Sequence, residues 1–300
     1  MKGFCRKNSI LGIVAFILLA LLASGCAMPR SAISLNEVLA QKLGKDRNSI
    51  YGYRCTAGAH RGASVEYMEN SLAALKAADE ESKYAFIEFD VQYSKDNKIV
   101  VFHDKRLLRL FGNLSAIGNT TFAELSEMTG GEVAAYGDVM EVLHKKINIE
   151  IKSQGDQKED ERLADEIIAD VHARKRDKDV LISSISADVI KYINRKYPQM
   201  PTGQIFWLTS STYLHFEGLT KDLYEKFEAT HADYLMLYVA NLRNIEDLLK
   251  FKPKGKTIVF WDFDDTMYLV HKDISDRLWG DSVIGSFFQF IRYELFAPFR

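Results

Sequence analysis

The stretch that decides the fold runs from residue 59 to residue 104. It opens Ala59-His60-Arg61-Gly62, passes Glu69-Asn70 and a helix-like run, continues as Phe86-Ile87-Glu88-Phe89-Asp90-Val91, and closes Val101-Phe102-His103-Asp104. Alternate residues of a strand share a face, so Glu88 and Asp90 point the same way. Two carboxylates side by side repel each other unless a cation or strong donors hold them. A hard divalent metal with oxygen ligands does so, and a histidine beside such a site moves protons at neutral pH.

Outward from this stretch, strand-like and helix-like units alternate. Candidate strands lie at 56–59, 85–91, 147–151, 180–185, 202–208, 234–237, 257–260 and 282–284, about the eight that a parallel barrel needs. Between them Leu163, Ile167, Ile168 and Val171 share a helical face, as do Val189, Ile190 and Ile193, and Leu242, Ile245, Leu248 and Leu249. An open doubly wound sheet has the same local pattern. The polar residues select the barrel: His60, Glu88 with Asp90, Glu150 and Trp261 fall at the C-terminal ends of different strands, where barrel enzymes keep their chemistry. The fold class expected is α/β, a TIM (β/α)8 barrel over 55–300. After Val91 the run 93–98 reads as a turn and 99–102 as a return segment too short for a crossover. That excursion brings His103 to the mouth shared by Glu88 and Asp90. Thr121 with Glu124 opens a short helix by a capping box.

The 300 residues are 47% hydrophobic and 27% charged, a globular composition with length for one large core. A formal net charge of -2 gives no footprint for nucleic acid, and three cysteines form no disulfide framework. Lys2, Arg6 and Lys7 precede an apolar run over 10–22, which ends Leu22-Ala23-Ser24-Gly25-Cys26. A short apolar run after a basic opening, closed by small residues, is a secretory signal. This ending looks like a bacterial lipoprotein signal, with 1–25 removed and Cys26 lipidated. A plain signal peptide or an uncleaved anchor is the alternative. The expected location is therefore an exported, membrane-anchored lipoprotein at the cell surface or in the periplasm. Residues 26–54 then form a tether and a helix opened by Ser34 and Glu37.

Taken together, several pieces resemble the glycerophosphodiester phosphodiesterase family: His60-Arg61-Gly62, Glu69-Asn70-Ser71, Ile87 to Val91, Val101-Phe102-His103-Asp104 with Leu107 and Arg109, and Asn148-Ile149-Glu150-Ile151-Lys152. They follow that family's order and spacing. The resemblance implies a metal-dependent hydrolase that converts glycerophosphodiesters to sn-glycerol 3-phosphate and an alcohol. It makes Glu88, Asp90 and Glu150 ligands of a divalent cation, Mg2+ or Ca2+, and His60 and His103 the general acid and base. Arg61 and Lys152 would face the phosphate, where a cation stabilises developing charge. Glu69 would position Arg61 or a ligand, and Asn70 would cap the following helix. Trp261 would wall the glycerol or alcohol part. An ion network of the acids with Arg61 and Lys152 is the alternative to the metal.

A second motif competes. Asp262-Phe263-Asp264-Asp265-Thr266 follows an apolar strand and is similar to the nucleophile motif of haloacid-dehalogenase-like phosphatases. That fold needs a full sheet after the motif, and too little chain follows. The region also departs from the phosphodiesterase pattern: Trp-Thr-x-Asn is replaced by Trp261-Asp262-Phe263-Asp264, which leaves the alcohol open. Rival readings are a phospholipase-like phosphodiesterase on the same fold, acting on a lipid or polymer, and a catalytically silent lipid-anchored binding protein.

Overall fold

The structure, a computed structural model, describes residues 55–207, 216–238, 241, 248, 251–261 and 266–270. The signal segment with Cys26, the helix at 34–43, the candidate strand at 282–284, Asp262, Asp264, Asp265 and all but Leu248 of the helical face at 242–249 lie outside the described residues.

Ten strands form one sheet: β1 (Cys55–Ala59), β2 (Phe86–Tyr93), β3 (Ile99–Val101), β4 (Ala134–Ala135), β5 (Lys146–Ile151), β6 (Val180–Ser184), β7 (Thr202–Phe206), β8 (Tyr234–Tyr238), β9 (Thr257–Trp261) and β10 (Thr266–Val270). The helices are α1 (Leu72–Glu80), α2 (Leu108–Phe111), α3 (Phe122–Thr129), α4 (Tyr136–Val142), α5 (Gln157–Ala173), α6 (Ala187–Lys196) and α7 (Phe216–Glu228). Pairing runs β1-β10-β9-β8-β7-β6-β5-β2, and a β1–β2 pairing closes the ring. Eight strands thus make the barrel. From β1 through β2 and β5 to β9 the pairings are parallel. The closing strand differs from a simple (β/α)8 pattern. β10 returns from β9 as an antiparallel neighbour and pairs antiparallel with β1, so the ring is sealed by a hairpin arm instead of a crossover.

β3 and β4 stand outside the ring, β3 antiparallel to β2 and β4 antiparallel to β3. The return segment after β2 is as the short turn at 94–98 requires. Ser94 Oγ donates to Asp96 Oδ1 at 2.6 Å and accepts from the Lys98 N–H at 3.1 Å, and Asn97 sits at φ 58°, a conformation asparagine tolerates.

The outward faces of the strands are apolar. Ile87, Phe89 and Val91 join Ile147, Ile149 and Ile151 under Leu75, Leu163, Ile167 and Val171 in one buried cluster. Each such side chain, fully buried, contributes about 1.5–3 kcal/mol. A satellite cluster of Val100, Phe102, Leu107, Ile117, Leu125 and Val133 packs beneath the excursion that follows β3. The expected helical faces are the ones buried: Leu163, Ile167, Ile168 and Val171 on α5, Val189, Ile190 and Ile193 on α6. Asp156 caps α5, and Thr121 with Glu124 completes the capping box of α3. No helix among the described residues is long and apolar enough to cross a membrane.

Candidate active site

Strand register assembles the acids. Asp90 on β2 lies opposite Glu150 on β5, and Glu88 lies opposite Asn148. Because side chains alternate, these four residues share the inner face of the barrel. Glu88, Asp90 and Glu150 are buried, and one oxygen of each lies within 4.8 Å of the others.

Two cations hold this charge in place. Lys152 Nζ is 2.8 Å from Asp90 Oδ1 and 2.5 Å from Glu150 Oε1. Arg61 Nε stands 3.5 Å from Asp90 Oδ2. Burial would raise the Asp90 carboxyl, but the Lys152, His103 and Arg61 charges override it and hold Asp90 well below its ordinary range. Glu88 is pushed the other way, by burial first and then by the Asp90 and Glu150 charges. Glu150 is also raised, chiefly by burial. The cluster is thus still short of positive charge with Arg61 and Lys152 both engaged. Glu88 Oε1 is buried with no hydrogen-bond partner among the described residues. An orphaned oxygen in a three-carboxylate set fits a hard divalent cation with oxygen ligands.

The loop after β1 is built to aim at these acids. Arg61 and Gly62 both take positive φ, 59° and 80°. Arg61 is strained there, and two hydrogen bonds hold it: its N–H donates to Glu88 Oε2 at 2.9 Å, and its carbonyl accepts from the Asn70 N–H at 2.9 Å. At Gly62 a Cβ would lie 2.6 Å from the Ala74 carbonyl carbon, so α1 can approach only a glycine. His60 follows β1 directly, buried, with Nε2 3.9 Å from Glu88 Oε2. Burial, followed by the neighbouring Arg61 charge, pushes its imidazole down to about 3.

His103 arrives from the excursion. Buried Gln92 on β2 donates from Nε2 to the carbonyls of Phe102 and Asp104, both at 2.8 Å, and the Phe102 N–H donates to the Asp90 carbonyl at 3.0 Å. These bonds clamp 102–104 over the end of β2. His103 lies near enough for its charge to act on His60, Asp90 and Glu150. Its Nδ1 is 2.5 Å from Asp104 Oδ1, and Arg109 Nε donates to Asp104 Oδ2 at 2.7 Å. Arg109 also grips Glu69 with both terminal nitrogens, at 2.8 and 2.6 Å, and Glu69 accepts from Arg61 Nη1 at 2.8 Å. A continuous chain, Arg61–Glu69–Arg109–Asp104–His103, therefore ties the two loops together. Burial would raise Asp104, but the His103 and Arg109 hydrogen bonds keep it well below the usual carboxylate range.

Glu69 thus meets its expected partner, Arg61. Asn70 does not cap α1: Ser71 is the N-cap, accepting from the Ala74 N–H. Asn70, at φ 62°, instead donates from Nδ2 to Asp90 Oδ2 at 2.7 Å and accepts the Asp90 N–H at 3.1 Å. It orients an acid of the cluster from twenty residues upstream, a role with no local sequence signal. Asp104 and Arg109 had a signal, a carboxylate beside a histidine and an arginine five residues on, but the sequence assigned them no role. Trp261 ends β9 with its ring 5.7 Å from that of His60. His144 and His172 lie away from the site, paired with Asp79 and Asp177.

Residues 60–287 match the family model of the glycerophosphoryl diester phosphodiesterase family. A glycerophosphodiester phosphodiesterase of Bacillus subtilis (strain 168) is 24% identical over 305 residues, covering 89% of this chain and 99% of the relative. The crystal structure of a glycerophosphodiester phosphodiesterase from Thermotoga maritima is 28% identical, with a TM-score of 0.52 over 81% of this chain and 97% of that one. A phosphodiesterase from Oleispira antarctica, solved with the product sn-glycerol-3-phosphate, shares the fold at 22% identity, with a TM-score of 0.51 over 68% of this chain and 82% of that one.

Proposed function

The chain belongs to the glycerophosphoryl diester phosphodiesterase family, and on that premise we propose that it cleaves glycerophosphodiesters to sn-glycerol 3-phosphate and an alcohol, with His60 and His103 moving the protons. The observation that supports this most is the convergence of both histidines, three carboxylates, Arg61 and Lys152 on one barrel mouth. Glu88, Asp90 and Glu150 would hold a divalent cation, Mg2+ or Ca2+, which when bound polarises a phosphoryl oxygen.

The two histidines differ in surroundings, and the difference divides their work. His103 has a carboxylate on Nδ1, which fixes the ring and leaves Nε2 to deliver a proton to the departing alkoxide. His60, with no carboxylate in hydrogen-bond reach of its ring among the described residues, accepts the proton of the attacking oxygen. Arg61 and Lys152 bind the non-bridging oxygens and carry the charge that gathers there. Arg109 and Glu69 keep the two loops in register.

Turnover of glycerophosphodiesters with Mg2+ or Ca2+, against a chelator control, tests the reading. Activity should vanish with chelator, and His103→Ala should lower kcat by about 10²–10⁴-fold with the circular dichroism spectrum unchanged. Unchanged turnover in the variant would remove the mechanism.

The membrane attachment belongs to the same proposal. The basic opening, the apolar run and Ala23-Ser24-Gly25-Cys26 support export and lipidation at Cys26, which would hold the enzyme at a membrane face. Cys26→Ser should abolish lipid labelling and shift the protein to the soluble fraction; persistence of both label and membrane partitioning would rule the anchor out.

A further inference from the structure

Four residues meet on the inner side of β2 and β5, with Glu88 opposite Asn148 and Asp90 opposite Glu150. Three corners of this patch are carboxylates. The fourth is an amide, and its bonding is incomplete. Asn148 is 2% exposed, and neither its Oδ1 nor its Nδ2 has a hydrogen-bond partner among the described residues. Buried amides are rarely left so, because each orphaned atom has given up its bond to water. Asn70, also beside the acids, makes the contrast. Its Nδ2 donates to Asp90 Oδ2 and its Oδ1 accepts the Asp90 N–H, so both its ends are in use.

Glu88 is half used in the same way. Its Oε2 accepts the Arg61 N–H at 2.9 Å, while Oε1 is buried without a partner among the described residues. Register thus sets Glu88 Oε1 and the Asn148 amide side by side on neighbouring strands. The amide has two ways to turn. With Nδ2 toward Glu88 it would only orient an acid. With Oδ1 toward Glu88 the two oxygens need a cation between them. Charge decides: three carboxylates face two cations, Arg61 and Lys152, both already engaged, so the patch lacks positive charge, and a bound ion draws an oxygen toward itself. Nδ2 then faces the β6 side, where Ser183 Oγ, opposite Glu150, is also buried and without a partner among the described residues.

Ca2+ takes about six to eight oxygens, amide carbonyls included, whereas Mg2+ keeps several waters and is seldom caged by protein alone. We infer that Asn148 Oδ1 is a fourth protein ligand of the cation, and that this four-oxygen cage selects Ca2+ over Mg2+. The inference rests on the cation that Glu88, Asp90 and Glu150 hold in the proposed function, and adds a ligand and the identity of the ion.

Calorimetric titration of CaCl2 and of MgCl2 into the full chain, without substrate, tests it apart from turnover. The wild type should bind Ca2+ about tenfold or more tighter than Mg2+. Asn148→Ala should weaken Ca2+ binding by about 10–100-fold and Mg2+ binding far less, so the preference collapses. Asn148→Asp should hold Ca2+ at least as tightly as the wild type, because a carboxylate also offers an oxygen. An amide that only orients Glu88 gives the opposite pattern: both ions weaken alike in Asn148→Ala, and Asn148→Asp weakens them as well, since its charge repels Glu88. That pattern, or a wild type that binds Mg2+ as tightly as Ca2+, overturns the inference and leaves the three-acid site standing. Should Asn148→Ala fail to fold, the wild-type ratio and Asn148→Asp decide. A wild type that binds neither ion removes the three-acid cation site itself, and this inference with it.

Discussion

At the scale of single residues, the side chains that orient the acids matter as much as the acids. Asn70 satisfies both the carboxylate and the N–H of Asp90. Groups that orient a ligand in this way typically change cation affinity about 10–100-fold when removed. Asn70→Ala should therefore weaken Mg2+ or Ca2+ binding by that factor in calorimetric titration, and Asn70→Asp should weaken it as well, since a like charge would face Asp90. Gly62→Ala has a different signature. A methyl at φ 80°, 2.6 Å from the backbone of α1, should cost at least about 2 kcal/mol and lower Tm by several degrees. That Glu88, Asp90 and Glu150 would come together was legible, because period-two alternation and strand ends are local properties. The role of Asn70 was not, because its partner lies twenty residues on, at the end of the next strand, and the serine beside it supplies the cap.

At the scale of elements, most of the barrel could be read directly. β2, β5, β6, β7, β8 and β9 begin and end within about two residues of the expected bounds, since short apolar runs between amphipathic helices have no other stable use. β10 was not foreseen. Its residues follow the acid-rich stretch 262–265, which draws the eye to a loop, and an apolar run of five carries no mark of strand direction. Junctions between elements also carry stability. Asp79, near the end of α1, accepts the N–H groups of His144 and Lys145, both at 2.9 Å, and so pins the turn that leads into β5. Asp79→Ala should cost about 1–2 kcal/mol in denaturant unfolding. Those bonds hold the Asp79 carboxyl below its ordinary value, although burial works against them. A depressed folded-state pKa gives stability that is present above the unfolded value, about 3.9, and is lost as pH falls through the folded one. Wild type and variant should accordingly converge in stability below about pH 4.

At the scale of the whole molecule, the barrel divides its labour by sector. The chemistry stands on β1, β2 and β5 with the β3 excursion, three neighbouring strands of the eight, and the stacked rings of Trp207, Tyr238 and Trp261 stand at the later strands. The sector with the strongest sequence signal is also the one with interlocked charges, and for the same reason: each charge there constrains its neighbours. The later sector holds buried but uncharged polar groups, Ser183, Ser184 and Gln204, so its sequence says little about what it touches. Closure of the ring depends on β10, which covers the edges of both β9 and β1. Ending the chain after Trp261 would bare two strand edges. That truncation should abolish cooperative thermal unfolding, whereas Trp207→Leu should leave it intact.

The hairpin arm has one more consequence, for the timing of assembly. The strand that seals the ring is the last described and its partner the first, so the seam joins positions at opposite ends of a long polymer. Contacts of such sequence separation form slowly, after nearer ones have paid their entropy. Until the arm emerges, the flanks of β1 and β9 that it covers have no partner strand. If the chain is exported as proposed, the ring can close only after that last strand has crossed.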